Sequence, residues 1–94
     1  MIIVHQGFGY EHTVIELLSI EVKVKTAVKF IVKIQNVAGL FSIALTFSNN
    51  YPSEKQFIQI NDRVFKFQEI MENPYRIYTL MQQDLLQDSI DNLP

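Results

Sequence analysis

The chain contains no cysteine. It therefore has no disulfide framework, no thiolate zinc site, no iron–sulfur cluster and no cysteine nucleophile. Glycine is scarce, with only Gly7, Gly9 and Gly39 in the whole sequence. Neither a Walker phosphate loop nor a dinucleotide-binding fingerprint can be assembled from them. No apolar run approaches the roughly 18 residues that a membrane-spanning helix needs. The opening Met1-Ile2-Ile3-Val4-His5 lacks a basic leading region and is too short an apolar run for a secretory signal. The cytoplasm is the expected setting. Excess positive charge is missing as well. A formal net charge of −2 and a pI near 5.5 exclude a protein that holds nucleic acid by global charge, though not a local basic patch.

What is present is apolar and alternating. The 94 residues are 48% hydrophobic and 19% charged, which excludes a disordered chain and fits one small domain. A domain of this size leaves some large apolar side chains near its surface, and gathered in a patch they mark a partner. Residues 1–5 read as a strand and Gln6-Gly7-Phe8-Gly9-Tyr10 as a loop. For 11–19 the signal is divided. Val14, Leu17 and Leu18 match helical spacing, whereas Val14, Glu16 and Leu18 suit a strand; a short helix near residues 11–18 is expected.

The period-two pattern is clearest over 20–34. Ile20, Val22, Val24, Thr26, Val28, Phe30, Val32 and Ile34 alternate with Glu21, Lys23, Lys25, Ala27, Lys29, Ile31 and Lys33. A two-residue turn would swap the apolar parity, and none is swapped, so one long strand is expected. Asn36 and Gly39 mark a turn. Phe41, Ile43, Leu45 and Phe47 then alternate with Ser42, Ala44, Thr46 and Ser48, giving a large-residue face and a small-residue face. A loop at 49–53 leads into a hairpin of 56–60 and 63–69 around Asn61-Asp62, whose register puts Ile58 opposite Phe65. Asn73-Pro74 supplies a cap and a first-turn proline, opening a helix over 74–91. Ile77, Tyr78, Met81 and Leu85 form one stripe of that helix, while Tyr75, Leu86, Ile90 and Leu93 fall on another side and need a second element or subunit to cover them.

The fold class expected is α+β: a curled antiparallel meander of four to five strands, with neighbours in sequence paired in space, and one long C-terminal helix. Several groups carry possible chemistry. Lys23, Lys25, Lys29 and Lys33 would share one face of the long strand, a ridge for phosphates or acidic protein, or simply a solvated face. Asp84, Asp88 and Asp91 lie where they oppose the helix dipole, so either that end frays or they meet a basic surface, such as the lysine face of this chain or of another copy. His5, Glu11, His12 and Glu16 hold the only nitrogen ligands but lack metal-site spacing. No serine sits in a nucleophile elbow, and the carboxylate pairs look solvated. No cofactor and no catalysis is expected. The expected function is a small protein-interaction or assembly module, homo-oligomeric, partnered by itself or another protein; the alternative is nucleic-acid binding through the lysine face of 20–34.

Overall fold

Alternation of apolar and polar residues makes most of this chain a sheet. In the computed structural model six strands form one antiparallel sheet: β1 (Ile2–Gly7), β2 (Tyr10–Lys23), β3 (Ala27–Asn36), β4 (Gly39–Ser48), β5 (Gln56–Ile60) and β6 (Arg63–Lys66). Helices α1 (Phe67–Glu72) and α2 (Pro74–Asp91) follow. The structure describes residues 1–7 and 9–91, with side chains as far as Asp88. The class is α+β as expected, and none of its described helices is long and apolar enough to cross a membrane.

The strand order is β4-β3-β2-β1-β5-β6. Only β1 to β4 form a meander. The segment after β4, which includes one 3-10 turn at Ser53–Lys55, crosses to lay β5 along the free side of β1. β4 and β5 are thus consecutive in sequence without being neighbours in the sheet.

Three expectations are corrected along the chain. Residues 11–18 belong to β2 and are not a helix. The 20–34 segment is a hairpin, not one strand: β2 ends at Lys23, β3 begins at Ala27, and Lys23 pairs with Ala27. The connection holds three residues, so it pairs i with i+4 and preserves parity. Thr26 N–H donates to the Lys23 carbonyl at 3.0 Å, and Lys25 takes the left-handed conformation at φ 64°. A positive φ without glycine is uncommon, which is why nothing in the sequence marks this turn. The Asn61-Asp62 turn has the expected pairing of Ile58 with Phe65 and Ile60 with Arg63. Its second strand stops at Lys66, where α1 begins, so residues 67–69 are helical and not extended.

The core lies on the concave face. Val28, Phe30, Val32 and Ile34 of β3 and Leu45 and Phe47 of β4 are buried there, with Phe30 edge-on to Phe47 at 5.8 Å between ring centres. Ile2 and Val4 of β1 and Ile58 of β5 complete the floor, and Ile70 of α1 and Ile77 and Met81 of α2 close it from above. Each fully buried side chain of this size contributes roughly 1.5–3 kcal/mol of transfer free energy. Asn73 caps α2, its Oδ1 accepting from Arg76 N–H at 3.3 Å.

The sheet does not close, but two glutamines bridge its curl. Gln56 is 1% exposed. Its Oε1 accepts from Ser48 N–H at 3.1 Å and its Nε2 donates to the Ser48 carbonyl at 2.8 Å. Nε2 also donates to the Tyr51 carbonyl at 3.2 Å. The neighbouring Gln6 donates to the Thr46 carbonyl at 3.3 Å. Side-chain amides thus stand in for the backbone rungs that a further strand would supply to the end of β4.

Candidate functional site

On the outer flank of α2, the side chains of Tyr75 and Leu86 are described. Tyr75 is 60% exposed and Leu86 64%. Eleven residues is close to three turns, so both point the same way, with Thr79 and Gln82 between them. Leu86 lines a groove against β2 with Ile15, Leu17 and Leu85. Tyr75 lines a second groove with Val22, Val24 and Met71. The Ile90 side chain and all of Leu93 lie outside the described residues, as does the Asp91 side chain.

Ile15 reaches the first groove because β2 is irregular. Its ladder with β3 shifts between Val14 and Glu16 and again between Leu17 and Ser19. Ile15 and Leu18 are the extra residues of two bulges, and both are exposed.

The four lysines do not lie on one strand, although Lys23, Lys29 and Lys33 share the outer face of the β2–β3 hairpin. Lys23 ends β2, Lys25 sits in the turn, and Lys29 and Lys33 lie on β3. Cross-strand glutamates on β2 answer the last two: Lys29 Nζ is 3.7 Å from Glu21 Oε2 and Lys33 Nζ is 3.6 Å from Glu16 Oε2. Treating 20–34 as a single strand hid Glu21 as the partner of Lys29.

The aspartates meet a cation, and it is not a lysine. The Met1 ammonium lies 3.1 Å from Asp84 Oδ2 and 3.3 Å from Asp88 Oδ2, and donates to Asn61 Oδ1 at 2.7 Å. Asn61 Nδ2 donates to Asp84 Oδ1. The cluster ties the start of β1 and the β5–β6 turn to α2. Burial draws the ammonium pKa down, but hydrogen bonds and charge from Asp84, then Asp88, more than offset it, and it titrates above its ordinary value of 8.0. None of the four lysines pairs with Asp84 or Asp88.

His5 stacks on Phe57 at 4.1 Å, with Nδ1 3.5 Å from Glu11 Oε2 and a buried Nε2 that has no partner among the described residues. No three histidine or carboxylate side chains among the described residues are grouped to hold a metal ion.

Sequence reasoning missed the outer edge of β4. The hairpin pairs Asn36 with Gly39 around a two-residue turn, and that flanking pair exchanges its hydrogen bonds. The odd residues of β4 therefore direct their N–H and C=O groups at β3, and the even residues direct theirs outward. The glutamine bonds to Thr46 and Ser48 fit that phase. Outward backbone groups of Leu40, Ser42 and Ala44 have no partner among the described residues. The sequence signal for this edge was the run without charge from Ile34 to Ser53.

No family model, curated protein or solved structure matches the chain.

Proposed function

We propose that this chain is a small, non-enzymatic, cytoplasmic interaction module that assembles with itself. The observation that carries the reading is the apolar surface along the seam of α2 and β2, where Leu86 and Ile15 stand exposed beside half-buried Leu17 and Leu85, and Tyr75 stands exposed in a second groove with Val22, Val24 and Met71. Exposed large apolar side chains grouped along one seam favour burial against another protein surface. Nucleic-acid binding has less support, because Lys29 and Lys33 already face Glu21 and Glu16. Native mass measured over a concentration series tests the proposal. The expected result is a closed oligomer of the 11.0 kDa chain, weakened by Leu86→Asp. A chain that stays monomeric, both purified and in lysate, overturns it.

A further inference from the structure

The two edges of the sheet are protected very differently. β6 is four residues long, carries Arg63 and Lys66, and runs straight into α1. β4 is ten residues long with no shift in its ladder to β3, so its edge is regular. Short length, charge, proline and bulges are the usual devices that keep an edge from pairing, and β4 has none of them. From Ile34 to Ser53 the chain carries no charged residue. The glutamine bridges cover only Thr46 and Ser48. The open portion is Leu40 to Ala44, beside exposed Val37 and Phe41.

We propose that this open edge pairs with the same edge of a second copy, antiparallel about a twofold axis at Ser42, joining two six-stranded sheets into one. The inference rests on the self-assembly part of that reading and assigns the joining contact to the β4 edge, apart from the seam of α2 and β2. A register centred on Ser42 sets Ser42 opposite Ser42 and Leu40 opposite Ala44. Every outward N–H and C=O of Leu40, Ser42 and Ala44 then finds a partner, two bonds in each of three pairs. On the concave side Phe41 meets Ile43 of the other copy, covering the exposed ring. A second copy is the occupant because a strand paired with itself sets like charges near one another, and an uncharged strand avoids that repulsion. The glutamines set the limit of the interface. They cap Thr46 and Ser48 within the chain, leaving a short pairing segment symmetric about Ser42.

The test puts a charge on the axis. Ser42 lies opposite Lys33 within the chain, so Ser42→Glu suits the monomer while setting two carboxylates face to face in the dimer. The wild-type chain is expected at twice 11.0 kDa, and Ser42→Glu and Ser42→Lys each at the monomer mass. An equimolar mixture of the two variants returns to dimer. Amide exchange supplies the second measurement: Leu40, Ser42 and Ala44 are protected in the wild-type dimer and exchange fast in Ser42→Glu, with β3 protection unchanged. A monomeric wild type overturns the inference. A wild-type dimer that persists in Ser42→Glu but is dissociated by Leu86→Asp also overturns it, while leaving self-assembly through α2 standing.

Discussion

Gln56 directs its entire amide at the backbone of Ser48 and Tyr51. Truncating it leaves the Ser48 N–H and C=O buried without partners, and each orphaned group costs about 1–3 kcal/mol. Gln56→Ala is therefore expected to lower stability by about 2–4 kcal/mol in urea unfolding, more than an ordinary surface change. Lys25 gives the opposite sign. At φ 64° it stands where a side chain is strained, and glycine adopts that conformation freely. Lys25→Gly is expected to raise stability by about 0.5–1 kcal/mol in the same assay. The Met1 ammonium makes stability depend on pH. Its folded pKa lies above 8.0, so its contribution is complete below the unfolded value and is lost as pH rises through the folded one. The urea midpoint should fall from neutral to alkaline pH, and acetylating the Met1 amine should flatten that part of the profile.

At the scale of elements, β2 explains both why a helix was expected over 11–18 and why a strand is found. Its inward residues are Val14, Leu17 and Ile20, spaced by three because each bulge consumes one residue. Two bulges in succession imitate the period of a helix. Deleting Leu18 is expected to regularise the ladder, with Leu17 still opposite Val32 and Ser19 still opposite Ile31, so the inward residues keep their facing and the thermal midpoint should not collapse. Leu18→Ser, at an exposed bulge, should leave it nearly unchanged. What was legible was local: the alternation of 27–34, the Asn61-Asp62 turn, and the Asn73 cap with Pro74. The cap should be worth about 1 kcal/mol, read from Asn73→Ala. What was not legible had either an ambiguous local signature or a distant partner. A three-residue turn keeps the same parity as an unbroken strand. Gln56 and Asp84 look like ordinary surface residues until β4 and Met1 are brought beside them. The outer flank of α2, in contrast, was visible in the spacing of Tyr75 and Leu86, since helical periodicity requires no knowledge of the rest of the fold.

At the scale of the whole molecule, the curled sheet is fastened at two separated places. The glutamines hold β4 toward β1 and β5, and the Met1 cluster holds α2 to β1 and the β5–β6 turn. Neither fastening shares a residue with the other, so Gln56→Ala and Asp84→Asn should lower stability additively in a double-mutant cycle. The placement of β1 has a consequence for how the chain is made. β1 is translated well before its second neighbour, β5, which pairs Ile60 with Ile2. The nascent chain can assemble the β1–β4 meander while one side of β1 remains bare. At about 5–20 residues per second, ribosomal elongation takes on the order of a second to supply β5 after β4. Throughout that interval both margins of the growing sheet stand open. Crowded polysomes are thus where neighbouring copies first meet with their strands exposed.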